Sequence, residues 1–142
     1  MWYRFFVEGV PQTAGSKAAF PYRKKDGRLG VRVTADNKKT AAWSSHVSLI
    51  GKTTIPEPFT GPVVLELAFM IVRPVSHYNK SGLKKSSPLQ HVYKPDLTKM
   101  VRAVEDALTG IAWNDDSQVI EQKTSKQWAD FSGVWITIRQ HE

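Results

Sequence analysis

The chain has 142 residues, 41% hydrophobic and 23% charged, no cysteine and a formal net charge of +7. This is enough apolar material for one folded domain, residues 1–142, and too much for a disordered tail. No stretch approaches the roughly 18 apolar residues of a membrane span. The lack of cysteine excludes disulfides and thiolate metal sites and fits a reducing, cytoplasmic setting.

The charge is unevenly spread. Residues 1–94 carry 15 Lys/Arg and 5 Asp/Glu, whereas residues 95–142 carry 5 and 8. A basic body beside an acidic C-terminal third suits a polyanionic partner held around a carboxylate cluster.

In chain order, Trp2 to Val10 is rich in β-formers and reads as a first strand, too short and too interrupted by Glu8 for a signal peptide. A basic loop follows over about 11–30. Lys17 lies in it, and Arg23, Lys24, Lys25 and Arg28 crowd a turn or hairpin whose second arm is Val31–Thr34. From Lys38, the spacing of Ala41, Trp43, Val47 and Ile50 predicts an amphipathic helix of about three turns ending near Gly51. Val63–Val72 reads as a strand with Leu65, Leu67, Phe69 and Ile71 on one face. A second basic loop, about 73–95, has no periodicity and no acid; it holds His77, Lys80, Lys84, Lys85, His91 and Lys94. Loops of this length in a compact domain are usually functional or mobile.

Asp96–Leu108 is a helix by its stripe of Leu97, Met100, Val101, Val104 and Leu108, stopped by Gly110. Gln118–Thr124 and Gly133–Arg139 then read as strands, with Lys126–Ser132 as the turn between them. The expected fold is α+β, with a small mixed sheet of about four strands and two helices.

Asp96 stands before the second helix, behind Lys94-Pro95, and Asp115-Asp116 stands just beyond it. Two or three carboxylates can hold Mg2+, which takes oxygen ligands and retains waters. Such an ion polarises a phosphate and lowers the pKa of an attacking water. The plainer alternatives are that Asp96 is a helix cap and Asp115-Asp116 a solvated turn. At 100° per residue, Thr98, Arg102 and Glu105 share one flank of the helix. Arg102 there is either a phosphate contact or the partner of Glu105 in a surface ion pair. The basic loop residues and Lys99 are candidate phosphate contacts, which position DNA without reading its sequence. Tyr22, Tyr78 and Tyr93, interleaved with them, are candidates for stacking on unpaired bases.

The run Lys94-Pro95-Asp96-Leu97-Thr98-Lys99-Met100-Val101-Arg102-Ala103-Val104-Glu105-Asp106-Ala107-Leu108, followed by Asp115-Asp116-Ser117-Gln118-Val119, resembles the RusA family of Holliday junction resolvases, often carried by phages and prophages. Val7, Gly9, Pro11 and Lys17, and Arg73-Pro74 with Ser76-His77-Tyr78, agree more loosely. The resemblance implies a homodimer in a bacterial or phage-infected cell. It implies Mg2+-dependent paired cleavage of four-way or branched DNA, with Mn2+ as a substitute and no small-molecule cofactor. By position, Asp96 and Asp116 match the catalytic, metal-binding acids, Asp115 stands beside them, and Arg102 replaces the usual Lys. Thr98 replaces an Asp. Three readings remain open: Glu105 or Asp115 supplies the missing carboxylate, metal binding is weaker, or the protein binds junctions without cutting them. A broader flap or branch nuclease is a further alternative.

Overall fold

The computed structural model describes residues 1–14, 19–33 and 35–142, with only the backbone for 19–22, 31–33 and 35–37. Lys17 and the Tyr22 side chain lie outside what is described. The strands are β1 (Trp2–Glu8), β2 (Ala19–Arg23), β3 (Leu29–Val33), β4 (Val63–Val72), β5 (Tyr78–Asn79), β6 (Gly82–Leu83), β7 (Val119–Ala129) and β8 (Gly133–Gln140). The helices are α1 (Ala35–Thr54) and α2 (Leu97–Leu108). The α+β architecture with a mixed sheet and two helices is as expected. Among the described residues no helix is long and apolar enough to cross a membrane.

The main sheet runs β1-β8-β4-β7. β8 is antiparallel to both of its neighbours, while β4 and β7 are parallel. A parallel pair needs a long crossover, and α2 lies in the connection between β4 and β7. The register sets Phe5 and Val7, Ile136 and Val134, and Leu67 and Phe69 in rows across the sheet. These side chains are buried in one cluster with Trp43 and Val47 of α1 and Met100, Val104 and Leu108 of α2. The opposite sheet face carries Trp2, Arg4, Phe6, Trp135 and Thr137, and Arg4 lies 4.9 Å over the Trp135 ring.

Gly133 shows how closely the edge strand is fitted. A Cβ there would collide with the Val7 carbonyl oxygen and the Phe6 ring. Gly133→Ala is therefore expected to destabilise the fold by about 1–3 kcal/mol, the usual scale of overpacking, measured as a lowered denaturant midpoint at an unchanged slope.

Several boundaries differ from the sequence reading. α1 has 20 residues rather than about three turns. β7 continues through Lys126 to Ala129, where a turn was expected, because ten residues of β4 are available to pair with it. The loop over 73–95 is ordered internally. It contains the small β5–β6 hairpin, and Lys84 N donates to the His77 carbonyl at 2.9 Å. It is also seated on Trp128 of β7: His91 lies tilted against the ring at 4.3 Å and His77 meets it edge-on at 5.2 Å. The Arg73 guanidinium lies 5.2 Å from the same ring. His91 is thus buried. Burial and the charge of Lys126 push its pKa below the ordinary histidine value.

Candidate functional site

α2 places the acids. Its apolar stripe is buried and its flank with Thr98, Lys99, Arg102 and Asp106 is exposed. Asp96 occupies the N-cap position, but its side chain makes no capping hydrogen bond. The carboxylate is therefore not consumed by the helix end, and Lys99 Nζ lies 3.6 Å from it. The Lys94–Pro95 peptide bond is cis. Lys126 reaches this segment from β7, donating to the Tyr93 carbonyl at 2.7 Å and the Pro95 carbonyl at 3.0 Å. A cleft of about 400 Å³ adjoins it, lined by Val10, Pro11, Gln12, Ile71, Asp96 and Lys99 among others.

At the other end of the helix, Thr109 is the C-cap and Gly110, at φ +88°, turns the chain. Trp113 is fully buried and donates from Nε1 to the Thr109 hydroxyl at 3.1 Å. This anchors Asn114-Asp115-Asp116. The Asp115 carboxylate accepts from Ser117 N at 2.8 Å and caps a short 3-10 turn, Asp116–Gln118. The Ser117 N–H, then its hydroxyl, then a hydrogen bond shared with Asp116 hold the Asp115 carboxyl below the ordinary carboxylate range.

Gln118 completes the turn with all four bonding positions of its amide occupied. Oε1 accepts from Asn114 N at 2.8 Å and Asp115 N at 3.0 Å. Nε2 donates to the Phe59 carbonyl at 2.8 Å and the Gly61 carbonyl at 2.9 Å.

Asp106, Thr109, Asn114, Asp115 and Asp116 line one open cleft of about 300 Å³. Glu105 lies close by, half-buried, and accepts a hydrogen bond from Gln122 of β7. Burial, then the negative charges of Asp116 and Asp106, push its pKa above the ordinary value. No Lys or Arg forms an ion pair with these four acids among the described residues; the two ion pairs there are Arg28–Asp26 and Lys99–Asp96. Arg102 is exposed and not paired with Glu105.

The structure thus lines one open cleft with Asp106, Asp115 and Asp116 and sets Glu105 within electrostatic reach of Asp116. It does not bring Asp96 to them: nine helix positions separate Asp96 from Glu105, about 13 Å at 1.5 Å per residue. No three His, Asp or Glu side chains gather around one point among the described residues. Thr98 lies on the exposed side of α2 between the two ends. The lining of the Asp115–Asp116 cleft is oxygen-rich and lacks a paired cation. Oxygen donors of this kind suit a hard cation rather than a soft one.

Around this, Arg23, Lys24, Lys25 and Arg28 are exposed at the tip of the β2–β3 hairpin. Lys80 and Lys85 are exposed in the loop seated on Trp128, Lys84 is half-buried there, and Lys94 is exposed beside Asp96. His77 is engaged with Arg73, 3.4 Å from its Nδ1. Gln118, Gln122 and Lys126, which hydrogen-bond to the segments that carry the acids, are not distinguished by residue type in the sequence. Only the motif position of Gln118 hints at its role. Asp106 belongs to the matched run, yet only the fold reveals that it shares a cleft with Asp116.

Similarity to known proteins agrees with this picture. The chain is 29% identical over 141 residues to the uncharacterized protein YqaN of Bacillus subtilis (strain 168), covering 96% of this chain and 95% of that one. Residues 12–139 match the model of the family described as endodeoxyribonuclease RusA. With nearly its whole length matched, the chain belongs to the RusA endodeoxyribonuclease family.

Proposed function

We propose that this member of a nuclease family is a Mg2+-dependent, structure-selective endonuclease that resolves four-way DNA junctions by paired phosphodiester hydrolysis. The observation that carries the reading is the acid-lined cleft of Asp106, Asp115 and Asp116, with Glu105 beside it, on a protein of net charge +7. A divalent cation bound there supplies electrophilic activation of the phosphate and of the attacking water. Asp116 and Asp115 would hold the ion, with Asp96 as the acid at the other end of α2. Glu105 offers the carboxylate that Thr98 lacks. Arg102 neutralises charge developing on the phosphate. Lys94, Lys99 and the residues of the two basic segments, Lys17 included, grip the arms. A homodimer suits the substrate, since an open junction is nearly two-fold symmetric and needs two symmetric cuts.

The test is cleavage of a synthetic four-way junction beside a flap and a linear duplex, with Mg2+, Mn2+ or chelator. Paired nicks in the junction alone, abolished by chelator, are expected. Affinity should fall steeply with salt, since each neutralised phosphate contributes about −0.9 to the slope of log K against log salt. Equal cutting of the flap would make this a general branch nuclease. Salt-sensitive binding without a product in any metal would make it a non-catalytic junction binder, a reading favoured by Thr98 and by the separation of Asp96 from Glu105 along α2.

A further inference from the structure

We propose that Lys126 and Gln118 are positioning residues, and that through them β7 sets the spacing between the two groups of acids; this rests on the nuclease reading above. A lysine near a DNA-binding cleft is ordinarily read as a phosphate contact. Lys126 is different, because two of its three donors already point at the protein. They engage the carbonyls of Tyr93 and Pro95, which bracket Lys94 and immediately precede Asp96. Charge-assisted bonds of this kind are the stronger ones, and Lys126 is half-buried rather than extended into solvent.

Lys126 is opposite Phe69 in the β4–β7 register, as Gln122 is opposite Leu65, so both side chains emerge on the face that packs against α2. Gln118, one residue before β7, does the corresponding work at the other end. It accepts the two N–H groups of Asn114 and Asp115 while donating to two carbonyls of the loop before β4. An amide with two donors and two acceptor positions has no capacity left for DNA. Asp96 and Asp115-Asp116 are therefore both referenced to one strand, which is itself paired along ten residues to β4.

The experiment compares the full chain with Lys126→Met and Gln118→Met. Junction binding without metal, the salt slope of binding, and the single-turnover cleavage rate at saturating junction are measured for each. The cleavage rate is expected to fall about 100-fold, the scale of a misplacement of about 1 Å, with affinity and salt slope unchanged. A salt slope reduced by about one in Lys126→Met would identify a phosphate contact and overturn the positioning role; so would an unchanged cleavage rate. Gln118→Glu, which keeps the two accepted bonds, takes the place of Gln118→Met if thermal melting shows the latter unfolded. If the parent cuts nothing, the nuclease reading fails separately. Positioning is then read by amide hydrogen exchange over 93–98 and 114–117, which should accelerate about tenfold or more in the variants as local opening becomes easier. Unchanged exchange would overturn it.

Discussion

Asp116→Asn and Asp96→Asn should each lower junction cleavage by on the order of 100-fold or more, since removing even an outer partner of a metal site commonly costs 10–100-fold. Both substitutions keep the shape of the side chain and remove its charge. Neither carboxylate holds the fold: Asp96 makes no capping bond and its one ion pair is an exposed contact at 3.6 Å. Asp116 is exposed in the turn, where its main-chain carbonyl accepts from Val119 N. Stability should therefore change by less than about 0.5 kcal/mol, and metal-free junction affinity should hold or rise slightly as negative charge near the phosphates is removed. Asp115→Asn should be milder, because an asparagine can still accept from Ser117 N and keep the turn. Gel-resolved single-turnover cleavage, with melting curves beside it, distinguishes these outcomes. Parental rates in both Asp96→Asn and Asp116→Asn would remove them from the site.

Thr98→Asp should act in the opposite direction. Thr98 is exposed in the first turn of α2, two residues from Asp96. A carboxylate there is also favourable to the helix N-terminus, by about 0.3–1 kcal/mol. It would shorten the gap between the Asp96 end and the Glu105–Asp116 end, so the Mg2+ concentration giving half-maximal cleavage should fall about tenfold or more, the scale of a ligand-shell change. A Mg2+ titration of the cleavage rate reads this directly. Strong cutting by Thr98→Asp from a parent that does not cut would identify a decayed site. No change in the Mg2+ requirement would mean that Glu105 or Asp115 already fills the role.

The parts of the fold written in local patterns were legible in the sequence. The 3.6-residue stripe from Leu97 to Leu108 and Gly110 beyond it gave α2 almost to the residue, and the alternation in Val63–Val72 gave β4. The end of β7 was not legible. Ser125, Lys126 and Gln127 resemble a turn because an edge strand carries little apolar alternation. Pairing to β4, more than fifty positions away in sequence, is what makes them a strand. The order of the 73–95 loop was hidden for a similar reason. Its anchor, Trp128, lies beyond an entire helix, and nothing local marks the contacts of Arg73, His77 and His91 with it.

The site shows the same division. Asp96, Asp115 and Asp116 stand out by residue type and motif spacing. The partner of Glu105 does not, since helix spacing pointed to Arg102 and the structure supplies Gln122 from a different strand. Gln118 could be recognised as part of a motif, but its bonds to Phe59 and Gly61 span 59 and 57 residues of chain. Helix periodicity placed the acids at the ends of α2; only the tertiary fold shows that Asp106 shares a cleft with Asp116 and that Glu105 lies near it, while Asp96 is held apart.

The central claim is that these acids hold a divalent cation, and a crystal soaked in Mn2+ tests it most directly through anomalous scattering. The expected result is a peak within about 2.0–2.4 Å of an Asp116 carboxylate oxygen, a separation set by hard-cation coordination, with Asp115, Glu105 or Asp106 as a further ligand. An empty Asp116 cleft at saturating Mn2+, or an ion held by His77 or His91 instead, would contradict it.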